Sequence, residues 1–200
     1  MSELHEIVLA SISPRRRELL ASLGLHVIVV PSEIDEGDLP GYASLDLAKL
    51  HAGSKADAVA ARETRRVTLG ADTVVELAGV SLGKPRDRAE AGQMLAALAG
   101  RDHLVHTAFS LIDGPSGRRI ADSVTSRVWF HALSPAEIEA YVASGDPLDK
   151  AGAYGIQGAG AALVERIDGD FYGVMGLPLG RVVRGLRKLD YDLPKGQVGR

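Results

Sequence analysis

Apolar residues along the chain follow two rhythms. Ile7-Val8-Leu9-Ala10 and Val27-Ile28-Val29-Val30 are short unbroken runs that suit buried strands. Between them, Arg15 to Leu25 sets Leu19, Leu20 and Leu23 along one side of a helix. Ser13 stands at its N-cap, Pro14 at the first helical position and Gly24 at its stop. The acidic loop Glu33 to Asp38 follows the second strand. A long helix is predicted from about Leu45 to Arg62, where alanine, leucine and lysine dominate. Val67-Thr68-Leu69 leads into a strand expected to end at Asp72, and Glu76 to Val80 reads as a turn. Ala89 to Ala99 predicts another helix, closed by Gly100. His103 to Ile112 and Ile120 to Phe130 alternate around Gly114-Pro115-Ser116-Gly117, the pattern of paired strands. Ser134-Pro135-Ala136-Glu137 is a capping box for a helix that stops at Ser144-Gly145. Beyond it come a glycine-rich stretch from Gly152 to Gly160, a strand from Ala161 to Ile167, and a last helix from Leu179 to Leu189.

Strands and helices interleave, but the hairpins argue against a purely parallel sheet. The expectation is a mixed α/β fold, with a mixed twisted sheet flanked by helices and two lobes around a cleft. With no internal repeat or Ser/Pro-rich linker, residues 1–190 read as one domain and 191–200 as a frayed tail. Two hundred residues can bury a real core, and 46% apolar with 24% charged residues is ordinary for a globular protein. A net charge of −3 gives no general pull toward a nucleic acid polymer or an anionic membrane. Any polyanionic ligand must therefore be held by local cations. The absence of cysteine excludes disulfides, thiolate metal sites and cysteine nucleophiles. Met1 to Glu6 carries neither a basic stretch nor a long apolar run, and no run reaches the length of a membrane span, so a cytoplasmic location is expected.

Candidate chemistry begins at Ser13-Pro14-Arg15-Arg16-Arg17. Cations at a helix start oppose its dipole by roughly 0.3–1 kcal/mol each at exposed sites. They make sense if an anion sits there and meets backbone donors, guanidinium groups and the Ser11 hydroxyl. The same run would also serve as a solvated basic turn facing the acidic loop. Asp72 could hold a divalent cation, orient a water or accept its proton, or it could cap a turn. Lys84, in Gly83-Lys84-Pro85, offers a positive charge close behind it, and Lys55 lies on the alanine-rich helix. Four glycines at 152, 155, 158 and 160 permit close ligand approach, and the Gln157 amide can both donate to and accept from a base edge. Composition alone favours a flexible loop between helix and strand there. His103 and His106 look like a metal pair, but their odd spacing on a strand sends them to opposite faces.

Five blocks together resemble the Maf family: Leu9 to Arg16, Gly70-Ala71-Asp72-Thr73, Gly83-Lys84-Pro85, Asp149 to Gly158, and Gly176-Leu177-Pro178-Leu179. They occur in family order from Leu9 to about Leu189. The resemblance implies a house-cleaning nucleoside triphosphate pyrophosphatase with a fold like that of inosine triphosphatases. Such an enzyme cuts between the α- and β-phosphates with a divalent metal cation, Mg2+ or Mn2+. By the same resemblance, Asp72 is the catalytic proton acceptor or metal-linked base, and Glu36 helps with metal. Ser11, Arg15, Arg16, Lys55 and Lys84 hold the phosphates, while Arg15, Thr73 and Gln157 bear on substrate choice. Ala-Asp-Thr and Tyr-Gly-Ile-Gln-Gly are similar to the branch that takes dTTP and UTP. The sister branch, which takes 7-methyl-GTP, tends to carry tryptophan, Ser-Asp-Gln and glutamate at the corresponding places. Where the family usually shows Leu-Ala-x-x-Lys-Ala, this chain has His51-Ala52-Gly53-Ser54-Lys55-Ala56, leaving Lys55 or His51 for the lysine position. A homodimer is implied by the resemblance alone. The rival readings are a nucleotide-binding regulator of septum formation with little turnover, and the same chemistry on 7-methyl-GTP or modified pyrimidine nucleotides.

Overall fold

A computed structural model describes residues 1–34 and 41–195. In chain order the elements are β1 (Ser2–Glu3), β2 (Glu6–Leu9), α1 (Pro14–Ala21), β3 (His26–Val29), α2 (Ser44–Ala60), β4 (Val67–Leu77), β5 (Val80–Leu82) and α3 (Arg88–Leu98). The second half contains β6 (Asp102–Asp113), β7 (Arg119–Phe130), α4 (Pro135–Ala143), β8 (Val164–Asp168), α5 (Phe171–Met175), α6 (Leu179–Lys188) and β9 (Tyr191–Asp192). Among the described residues, seven strands form a mixed sheet ordered β3-β2-β4-β6-β7-β8, with β5 on the edge of β4. β2 runs parallel to β3 and β4, whereas β4, β6, β7 and β8 pair antiparallel. The mixed sheet expected from interleaved elements and hairpins is therefore present.

Strand β4 organises the molecule because its side chains alternate between two faces. On one face, Val67, Leu69 and Ala71 join a core with Leu19 and Leu20 of α1 and Val182 and Leu186 of α6. Further along that face, Val75 and Leu77 join a second core with Leu95 and Leu98 of α3 and with Tyr154. Thr73 falls between the two cores. β6 repeats the pattern: Phe109 and Leu111 enter the first core, Val105 enters the second, and Thr107 is paired opposite Thr73. Fully burying a leucine or valine contributes roughly 1.5–3 kcal/mol, so the clusters hold the lobes while the threonine layer marks their boundary.

The opposite face of β4 carries Gly70, Asp72 and Val74 beneath α2, where Val74 packs with Ala48, Ala52 and Ala108. Gly70 is required by this packing. A Cβ there would stand 2.4 Å from the Ala52 carbonyl oxygen and 2.5 Å from the Ala56 nitrogen. The edge of β4 is also interrupted. β2 pairs with it at Thr68 and Leu69, and β5 pairs from Val75 onward. The stretch between them opens a slot in the sheet through which side chains from both faces reach one cleft.

Several expectations need correction. Asp72 does not end its strand but lies in the middle of β4, because Val74, Val75 and Leu77 continue pairing with β5 and β6. The strand expected from Ala161 starts at Val164, since Gly158–Leu163 winds as a 3-10 turn. The tail does not fray from 191: Tyr191–Asp192 forms a parallel ladder with Ser2–Glu3. Ser13 occupies the N-cap of α1 without a capping bond from its side chain, whereas Ser134 and Glu137 form the complete capping box. Among the described residues, no helix is long and apolar enough to cross a membrane.

Candidate active site

Asp72 is 7% exposed, and both its oxygens are engaged from successive turns of α2. Lys55 Nζ donates to Oδ1 at 2.7 Å, and His51 Nδ1 lies 3.3 Å from Oδ2. The two candidates for the family's lysine position thus meet the same carboxylate, because residues four apart share a helix face. The Gly70 contact brings α2 close enough for both to reach it. Burial pushes the Asp72 carboxyl upward, but the His51 hydrogen bond and the charges of Lys55 and Arg16 outweigh it. The group is held below its ordinary value and stays ionised at neutral pH.

On the other side of β4, Arg16 is buried and spans three elements. Its Nε donates to the Gly176 carbonyl at 2.9 Å, Nη1 to Ser11 Oγ at 3.2 Å, and Nη2 to Thr73 Oγ1 at 3.1 Å. Thr73 Oγ1 is 3.0 Å from Thr107 Oγ1, which in turn donates to the Gly173 carbonyl at 2.8 Å. Ser11 Oγ also accepts from the Ser13 amide. The basic start of α1 is therefore divided: Arg16 turns inward, Arg15 lies within 3.7 Å of Asp149, and Arg17 is exposed outside the cleft lining.

The glycine-rich segment is pinned rather than loose. Lys150 is buried and donates to Asp146 and Asp149. Tyr141 Oη donates to Asp146 and accepts from the Gly155 amide. Gly155 packs against the Lys150 side chain, whose Cε would lie 2.8 Å from an added Cβ. Tyr154 Oη lies 2.7 Å from His103 Nε2 in the second core, where burial lowers the His103 pKa to about 4. His106 points to the other face, toward Thr125 and Glu76, so the two histidines form no metal pair.

A cleft of about 860 Å³ collects these groups. Ser11, Arg15, Arg16, Lys55, Asp72, Thr73, Lys84 and Gln157, all singled out from the sequence, line it. Lys84 and Gln157 are exposed at its rim. Glu36 lies outside the described residues. His51 and Lys150 line the cleft as well. His51 was legible only as an alternative to Lys55, and Lys150 had no signal beyond its place in the glycine-rich block.

Among the described residues, no group of three or more histidine, aspartate or glutamate side chains is assembled for a metal. Mg2+ needs no such cage: it is commonly held by one or two carboxylates, substrate phosphates and water. The ionised Asp72 carboxylate, in a cleft lining that also includes Glu33 and Asp149, fits that mode of binding.

A family model described as Maf-like protein matches residues 6–189. A curated relative from Moorella thermoacetica, named dTTP/UTP pyrophosphatase, is 50% identical over 182 residues, covering 90% of this chain and 92% of its own. A second of the same name, from Geobacter sulfurreducens, is 49% identical over 187 residues, covering 94% and 98%. Among solved structures, a HAM1 protein from Coxiella burnetii aligns with 64% of this chain and 73% of its own at 19% identity and a TM-score of 0.40.

Proposed function

The chain belongs to the Maf-like protein family, and from that premise we propose that it hydrolyses nucleoside triphosphates, dTTP and UTP foremost, to a nucleoside monophosphate and pyrophosphate. The observation that carries the reading is the ionised, buried Asp72 at the wall of a cleft that also holds Ser11, Arg15, Arg16, Lys55 and Lys84.

In this reading water attacks the α-phosphorus in line with the leaving pyrophosphate. A new oxygen–phosphorus bond forms as the bond to the α,β-bridging oxygen breaks. The Asp72 carboxylate accepts a hydrogen bond from that water, orients it and takes its proton as the new bond forms. Lys55 and His51 fix the plane of the carboxylate, so an Asp72 oxygen meets the water in one orientation. Arg15, Lys84 and the Ser11 hydroxyl meet phosphate oxygens, and Arg16 adds positive potential from beneath while holding Ser11 in place. Asp72 is the described residue that would hold a divalent cation. When bound, such an ion polarises phosphoryl oxygens and eases proton loss from water. Gln157 and Thr73 both line the cleft and would read the base edge, the Gln157 amide by donating to a uracil carbonyl.

The test is a panel of nucleoside triphosphates incubated with Mg2+ or Mn2+ and resolved by chromatography. Monophosphate and pyrophosphate from dTTP and UTP are expected. Diphosphate and inorganic phosphate, or no turnover with any of them, would overturn the reading.

A further inference from the structure

The threonine layer between the two cores constrains what the cleft can recognise. Thr107 is fully buried, and its Oγ1 lies 2.8 Å from the Gly173 carbonyl oxygen. A carbonyl only accepts, so the single Thr107 proton is on that bond. Thr107 Oγ1 is also 3.0 Å from Thr73 Oγ1. With its own proton committed, Thr107 can only accept there, and Thr73 donates. Arg16 Nη2, which can only donate, meets Thr73 Oγ1 at 3.1 Å. Thr73 has therefore given its one proton inward and taken one hydrogen bond from Arg16. What remains for the cleft is a lone pair.

The carbonyl that anchors this chain is itself fixed. Gly173 sits in α5, its amide held by Asp170 Oδ1 at 2.8 Å. A Cβ at Gly173 would lie 2.6 Å from Val124 Cγ2, so a side chain there would push α5 off the sheet and its carbonyl away from Thr107. Sheet, helix α5 and Arg16 together set the direction of one hydroxyl.

We propose that Thr107 is a specificity-determining residue that acts through Thr73, holding that hydroxyl as an acceptor toward the cleft and so selecting a base that presents a ring N–H. The inference rests on the pyrimidine triphosphate reading above. Uracil and thymine carry an N–H at ring position 3, between two carbonyls. Cytosine presents a lone pair at that position, which would face the Thr73 lone pair. The same constraint removes Thr73 as a phosphate ligand, since phosphate oxygens offer no proton.

Two measurements test this. In the wild-type protein, kcat/KM for UTP is compared with that for N3-methyl-UTP, which keeps both carbonyls and loses the N–H. A loss of about 10²-fold or more is expected for a site built around that donor. Equal use of the two substrates would overturn the proposal. In the second measurement, Thr107→Val removes the acceptor for the Thr73 proton and lets Thr73 turn its O–H toward the cleft. The ratio of kcat/KM for UTP over CTP should then fall by about 10-fold or more, whereas Thr107→Ser should keep it. A Thr107→Val protein that loses activity on both substrates equally would show a structural role only. A wild-type protein that turns over neither UTP nor CTP would instead remove the proposed function, and this inference with it.

Discussion

Replacing Gly70 with alanine separates the packing around the Asp72 cleft from its proposed chemistry. The added Cβ would stand 2.4 Å from Ala52 O, 2.5 Å from Ala56 N and 2.9 Å from Ala56 Cβ. All three are backbone atoms or a Cβ of α2, so no side-chain rotation relieves the clash. Carbon contacts settle near 3.5–4.0 Å, so α2 must retreat by roughly 1 Å. His51 and Lys55 ride on the same turns as Ala52 and Ala56. Lys55 Nζ, now 2.7 Å from Asp72 Oδ1, would move beyond hydrogen-bonding range. Overpacking of this kind costs about 1–3 kcal/mol, or a Tm lower by roughly 2–12 °C in a chain of this size. A 1 Å misplacement in the catalytic geometry costs about 10²-fold in rate, far more than the stability loss suggests. The assay pairs steady-state pyrophosphate release with a thermal melt, using Gly180→Ala as control, because a Cβ at Gly180 in α6 meets nothing within 4 Å. Gly70→Ala with a lowered Tm but wild-type kcat would refute the link between α2 placement and the Asp72 clamp.

Two other changes address single groups. Asp72→Asn keeps the shape of the side chain and removes its charge; kcat should fall by roughly 10²–10⁴-fold with the fold intact by circular dichroism. His103 is held neutral by burial, with its pKa lowered to about 4, so the unfolded chain binds the extra proton first as pH drops. Stability should therefore decline from about pH 6.5 to pH 4, by up to about 3 kcal/mol from this group. Urea midpoints measured across that window should lose most of this slope in His103→Gln.

Much of this architecture was legible because local signals agreed with tertiary demands. The box of Ser134 and Glu137 forms as its residues dictate, and the alternation of 103–112 and 120–130 becomes the paired strands β6 and β7. Where the reading missed, the deciding contact lay elsewhere in the chain. Asp72 looked like a strand terminus because an isolated carboxylate is costly inside a sheet, yet Lys55 and His51 arrive from α2 to compensate it. The five residues of α5 are too few for a periodic signal and depend on Asp170 capping the Gly173 amide. The two-residue ladder of β1 and β9 exists only once both ends of the chain have met. For the site, the blocks supplied residues that line one cleft, but Thr107 sat within an ordinary alternating strand. Its polarity acquires meaning only opposite Thr73, in a layer that separates two apolar cores.

Attack by water on the α-phosphorus, directed by Asp72, fixes which product receives the oxygen of that water. Hydrolysis of UTP in ¹⁸O-labelled water, followed by mass spectrometry of the products, tests it most directly. One labelled oxygen in the uridine monophosphate and none in the pyrophosphate is the result predicted. Label in the pyrophosphate would place the attack on the β-phosphorus and contradict the account.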